Sequence, residues 1–269
     1  MSRSGGARPA VLQEDTKKML RNPLPSAGPA RAAGAFVAAA LLFAGCAKQE
    51  PGAEFNDPFE TGNRAVHDAN VALDRAVFGG GKPDRKPFMP APVAEGLANF
   101  SDNLGMPSAV LNSLLQGRPD PAVRNAARFL MNTTVGIGGI LDPATAVGLY
   151  AEDTDFGETL HVWGAPEGAF LVLPLAGPST ERDLAGKVVD FVIDPLNGAF
   201  PEPEKYYVAA ARVGAKVADR QRYGDVIDDI LYNSADSYAQ MRLLYLQNRH
   251  YELGIEAEVF DPYEDPYGQ

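Results

Sequence analysis

Between Phe129 and Tyr150 the chain carries 22 residues and one charge, Asp142, and glycines interrupt the run at 136, 138, 139 and 148. A second uncharged stretch, Gly168–Thr180 (GAFLVLPLAGPST), has 13 residues and two prolines. Neither patterns as an amphipathic helix. Neither is long and regular enough to span a bilayer, which takes about 20 apolar residues. Two readings stay open: a buried hairpin pair in an ordinary core, or apolar surface that sits in lipid or lines a lipid passage. In the second reading the backbone must satisfy its own hydrogen bonds, so the segments are expected to be helical or packed on helices.

The rest of the chain is punctuated in the same way. With 27 Gly and 22 Pro in 269 residues, many helix stops are expected and few long elements. A hydrophobic content of 45% supports a real core and excludes a disordered chain. Asp57-Pro58 opens a helix on which Phe59, Val66, Leu73 and Val77 form one stripe, ended by Gly79-Gly80-Gly81. After a proline-rich linker, Val93 to Leu104 forms a second helix, stopped by Gly105-Met106-Pro107, and Ser108 starts a third. A fourth runs from Pro121 to Met131. Further helical pieces span 187–193 and 204–219, and a last long helix 225–252. Little strand alternation and no repeat at a fixed period are visible.

The N-terminus reads as an address. Residues Ala32–Ala47 are 16 uncharged residues, preceded by Arg31 and followed by Lys48, in the form of a secretory h-region. Its end, Phe43-Ala44-Gly45-Cys46, resembles the lipobox of bacterial lipoproteins, in which the cysteine becomes the acylated first residue; Phe43 stands where Leu is usual. Glu14 and Asp15 fit a signal peptide badly, and a start at Met19 would give a leader of ordinary length. The expected organisation is a signal peptide over 1–45, a lipidated tether over 46–56, a helical domain over 57–252 and an acidic, flexible tail over 253–269. The single cysteine excludes an intramolecular disulfide and a thiolate zinc site. Residues 1–45 hold six basic and two acidic side chains, so the remainder carries 18 basic and 33 acidic groups, a net of −15. Such a surface repels phosphate backbones and excludes nucleic acid as a partner. It is not drawn to anionic lipid by charge either, so membrane contact falls to acyl chains and apolar surface. Ala47 after the cysteine, rather than Asp, points to the outer membrane by analogy with lipoprotein sorting.

Several motifs in one order carry a family resemblance. They are Asn56-Asp57-Pro58-Phe59-Glu60 with Asn63-Arg64; Asn99 to Leu104, then Pro107 and Asn112 to Gly117; Arg128 to Gly139 with Asp142; Asp155-Phe156-Gly157-Glu158-Thr159-Leu160 with Trp163-Gly164; Gly168 and Leu173 to Thr180 with Arg182-Asp183; and Asp236-Ser237-Tyr238 with Arg242, Tyr245 and Arg249. Together, over about 54–252, they resemble the MlaA (VacJ) family of outer-membrane lipoproteins. Glu158, Ala169-Phe170 and Ser237 depart from the family's common Gln, Pro-Tyr and Pro. The resemblance implies an all-α fold, a ring-like bundle of amphipathic helices partly embedded in the periplasmic side of the outer membrane around an amphipathic channel. It implies removal of mislocalised phospholipids from the outer leaflet to the periplasmic carrier MlaC, association with a trimeric porin, no cofactor and no chemistry on the lipid. A porin-associated structural lipoprotein without transport is the alternative.

On that reading the lipid path is expected among Asn132, Thr133, Thr134, Gly136, Gly138, Gly139, Thr159, Trp163, Gly164, Gly168, Pro174, Gly177 and Pro178. The polar ones could equally cap helix ends, and Trp163 suits either a membrane interface or a core. Arg64, Arg128 and Arg182 could meet lipid phosphate or a structural acid. No metal or catalytic residue is expected: there is no G-x-S-x-G, H-E-x-x-H, P-loop or G-x-G-x-x-G before a helix. His67, His161 and His250 are far apart. A phospholipase triad of Ser179, His161 and Asp183 is imaginable, but Ser179 follows Gly-Pro and reads better as a turn or cap.

Overall fold

The structure, a computed structural model, describes residues 55–80, 87–196 and 199–255. The expected signal peptide, Cys46, the tether up to residue 54 and the tail beyond 255 lie outside the described residues. The elements are α1 (Glu60–Phe78), α2 (Ala91–Leu115), α3 (Pro119–Thr134), α4 (Pro143–Ala146), α5 (Phe156–Val162), β1 (Phe170–Leu173), β2 (Gly177–Thr180), α6 (Glu181–Ile193), α7 (Glu204–Arg222), α8 (Gly224–Asp228), a π-helical turn (Asp229–Asn233) and α9 (Ser237–Glu252). The fold is thus mostly helical, as expected. Among the described residues no helix is long and apolar enough to cross a membrane.

The second uncharged stretch is not helical; its strands turn Phe170, Val172, Ser179 and Thr180 inward, and only its turn, 174–176, is exposed. It forms an antiparallel hairpin, Phe170 opposite Thr180 and Leu173 opposite Gly177. Its outer edge would leave backbone groups bare. Two asparagines of α1, seven residues apart and so on one face, fill that edge. Asn63 Nδ2 donates to Phe170 O at 3.0 Å while Asn63 Oδ1 accepts from Val172 N at 2.9 Å. Asn70 repeats the pattern with Leu173 O at 3.0 Å and Leu175 N at 2.9 Å. Asn63 is buried. An Asn63→Ala variant therefore leaves a buried donor and acceptor unpaired, at about 1–3 kcal/mol each. Denaturant unfolding is expected to show that loss; a change below about 0.5 kcal/mol would contradict the edge-filling role.

Two cores result. Phe170 and Val172 pack with Tyr238 and Leu246 of α9, joined by Phe55 and Val66. Phe156 and Leu160 of α5 pack on Ala185 and Val189 of α6. That second crossing is close because Gly186 faces Gly157, where a Cβ would run into backbone.

Three boundaries differ from expectation. The helices expected on either side of Pro107 are one, α2, with Pro107 inside it. The proline forfeits one N–H, but Leu104, Met106 and Ala109 are buried on both sides of it, and a break would uncover them. α6 starts at Glu181, not 187, because Thr180 accepts from Asp183 N at 3.2 Å as an N-cap. The long helix expected over 225–252 is split by the π turn and by Asp236, whose carboxylate accepts from Ala239 N at 3.0 Å and starts α9.

Candidate functional site

The first uncharged stretch takes the opposite course from the second. Where α3 ends, a loop over 135–142 turns back and enters α4. Its polar groups point inward. Asp142 accepts from Asn132 Nδ2 at 2.9 Å, Arg128 Nη2 at 3.0 Å and Thr145 Oγ1 at 2.6 Å. Asn132 Oδ1 accepts from Ala144 N at 3.1 Å, and Arg128 also donates to Leu149 O. From α2, Asn103 donates to Thr133 Oγ1 at 3.0 Å and Asn99 to Ile140 O at 3.2 Å. The backbone closes on itself through Gly138 N to Thr133 O and Leu141 N to Gly136 O. Gly139, at φ 96°, lies against the Asn103 side chain, where a Cβ would not fit.

With the polar atoms consumed inside, the apolar ones face out. Leu130, Val135, Ile137, Ile140, Leu141 and Val147 are 48–68% exposed. Ile137 adopts a left-handed φ of 56°, unusual for a β-branched residue. A run of outward aliphatic side chains around one loop marks a contact surface for lipid or protein.

Asp142 ties this loop down, and its ionisation is coupled to it. Burial opposes the charge, but the hydrogen bonds from Thr145, Asn132 and Arg128 win and hold its carboxyl at about 2. The native pKa lies below the ordinary value of about 3.9, so the anchor contributes fully above that value and is lost as pH falls through about 2. Amide exchange across 135–142 is expected to stay slow at pH 5 and to rise selectively near pH 2. A uniform rise over the whole chain would count against a local anchor.

The remaining expected positions scatter. Thr134 bonds back to Leu130 O at 2.7 Å. Thr159 is fully buried and donates to Asn112 Oδ1 at 3.0 Å. Trp163 is half exposed, donates to Leu115 O at 3.2 Å and meets Phe156 edge-on at 5.5 Å. Gly164 and Gly168, both at positive φ, bracket the turn from α5 to β1, and Pro174 lies in the hairpin turn. The three arginines have acids nearby. Arg64 pairs with Glu60 at 2.8 Å and Asp236 at 2.9 Å, Arg128 with Asp142, and the buried Arg182 lies between Glu167 and Asp183. Glu158 pairs with Arg118 at 2.8 Å. The imagined triad is not assembled: Lys187 donates to buried Ser179, His161 meets Arg182, and Asp183 is held by Arg249 and Tyr245.

Two features escaped the sequence reading. One is the carboxylate cluster around Arg249, which reaches Asp155 at 2.8 Å, Asp183 at 3.0 Å and Glu252 at 3.0 Å. The other is a half-open, mostly apolar cavity of about 460 Å³, bordered by α1, the hairpin turn, α8, the π turn and Met241 of α9. Gly177 and Pro178 are the expected path residues that line it. No local signal marks either, since each joins segments remote in sequence.

Comparison with known proteins agrees with the motif order. The family model described as MlaA lipoprotein matches residues 55–252. An uncharacterized protein of Rickettsia prowazekii is 33% identical over 190 residues, covering 70% of this chain and 74% of that protein. The intermembrane phospholipid transport system lipoprotein MlaA of Haemophilus influenzae is 30% identical over 224 residues, covering 80% and 87%. Its Escherichia coli counterpart is 30% identical over 235 residues, covering 85% and 90%. A chain from a solved structure described as the structural basis for maintenance of bacterial outer membrane lipid asymmetry superposes with a TM-score of 0.59 at 28% identity, covering 73% of this chain and 98% of that one. With the hairpin clasped by α1, the inward-anchored loop and this match across its helical body, the chain belongs to the MlaA lipoprotein family.

Proposed function

We propose that this chain is an outer-membrane lipoprotein that removes mislocalised phospholipids from the outer leaflet and passes them to the periplasmic carrier MlaC. In this reading acyl chains on Cys46 fasten it to the periplasmic side. The helices, partly embedded, surround an amphipathic channel, and a trimeric porin holds the assembly in place. The observation that carries the reading is the outward aliphatic face from Leu130 to Val147, with its polar groups turned inward. A lipid tail leaving a bilayer loses about 0.8 kcal/mol per methylene exposed to water. A transfer protein must therefore reach hydrocarbon depth and cover the tail while the head group stays wet. The aliphatic face supplies the reach. Thr133 and Thr134, both exposed at the end of α3, supply polar groups at its edge.

The reading is tested in cells. Deleting the gene is expected to raise outer-leaflet phospholipid and detergent sensitivity, and the wild-type chain to restore both. A Cys46→Ala chain should fail to restore them and should lose outer-membrane fractionation. Unchanged outer-leaflet phospholipid on deletion would exclude transport and leave the porin-associated structural role.

A further inference from the structure

The 460 Å³ cavity is unusual in how its polar neighbours are employed. Four polar side chains border it, and each is already engaged. Asn70 spends its amide on the hairpin turn, accepting from Leu175 N at 2.9 Å and donating to Leu173 O at 3.0 Å. His67 Nε2 meets Ser237 Oγ at 2.8 Å. Asp74 receives Arg220 at 2.6 Å and Tyr232 at 2.6 Å. Arg220 also reaches Asp228 at 2.5 Å and Gly224 O at 3.4 Å. The polar side chains of the wall thus have partners within the chain before any ligand enters. The rest of the wall is apolar, supplied by α1, the hairpin turn, α8, the π turn and Met241 of α9.

Two sparsely populated backbone conformations border the same space. Leu175, at φ 65°, stands at its rim, and the π-helical turn contributes Ile230 and Leu231. Such irregularities concentrate where a fold accommodates a ligand. An apolar cavity of about 150 Å³ stays dry and takes up benzene, so about 460 Å³ at that packing holds about 18 carbons in a chain.

We propose that this cavity binds one unbranched hydrocarbon tail of about 16–18 carbons, and that it does so without contacting the head group. The site is separate from the outward face around Ile137; the proposal rests on the lipid-transfer reading only for the source of the tail. A free fatty acid and a phospholipid share this chemistry, so both are probed.

The full-length lipoprotein in lipid nanodiscs is irradiated with a diazirine-tailed palmitic acid in one arm. A diazirine-tailed lysophosphatidylethanolamine is used in the other, and adducts are mapped by mass spectrometry. Adducts are expected in α1 and in 224–241 in one arm or both, and the arm that labels identifies the source. A Leu231→Trp or Ile230→Trp chain, filling the space, should lose at least tenfold of those adducts while keeping adducts near Ile137 and Leu141. The wild-type map decides alone if neither variant folds. Cavity walls unlabelled in both arms, or labelling unchanged in a folded filled variant, would overturn the proposal. A deletion phenotype without cavity labelling removes only the cavity site, and labelling without a phenotype removes only the transport reading.

Discussion

An Arg249→Leu chain is expected to lose about 3–5 kcal/mol of unfolding free energy. The reason lies in what the guanidinium leaves behind. Asp183 is 3% exposed and takes two hydrogen bonds from Arg249, and Asp155 takes a third at 2.8 Å. Removing the cation strands a buried carboxylate beside Tyr245. That phenol is already driven well above its ordinary range by burial and by Asp183, so it cannot give up its proton in compensation. The cluster also joins α5, α6 and α9, so its loss is shared by both cores. Equilibrium denaturation with circular dichroism measures the effect. A paired Arg249→Leu, Asp183→Leu chain should recover part of it, because the most deeply buried carboxylate of the cluster leaves with the cation, and only part, because Asp155 and Arg182 each still lose a partner. A single variant within about 1 kcal/mol of wild type would mean that water, not Arg249, satisfies the acid.

The second large effect concerns the membrane rather than stability. An Ile137→Asp, Leu141→Asp chain should fold almost normally, because both side chains point away from the protein and are 68% and 52% exposed. If the loop sits at hydrocarbon depth, each charge costs about 2.5–3.5 kcal/mol there. Vesicle flotation of the non-acylated Cys46→Ala form is then expected to show at least a hundredfold weaker partitioning. In the acylated form, outer-leaflet phospholipid should rise as in the deletion. Unaltered partitioning by a folded double variant would place the aliphatic face outside the bilayer.

The two uncharged stretches show what a sequence conveys and what it withholds. Their lack of charge said that both avoid open water, and nothing local could say by which route. In one, Asn63 and Asn70 of a helix a hundred residues away complete the hairpin edge and draw Phe170 and Val172 inward. In the other, Asp142 gathers Arg128, Asn132 and Thr145 and leaves a mostly aliphatic face outside, from Leu130 to Val147. Arg64, Arg128 and Arg182 show the same limit, since an arginine reads alike whether it awaits a phosphate or an acid elsewhere in the chain. Pro107 shows it too: the local rule favours a stop, and burial of α2 on both sides overrides it.

The sequence by itself determined the helical character, several of the helix starts and the family, because glycine, proline, charge and motif order act locally or add up along the chain. Tertiary structure alone decided which uncharged segment packs inward and which faces out, where Arg128, Arg220 and Arg249 found their acids, and that an apolar cavity exists at all. Each of these depends on groups far apart in sequence meeting in space, and a periodicity of 3.6 or 2 residues holds no information about its partner.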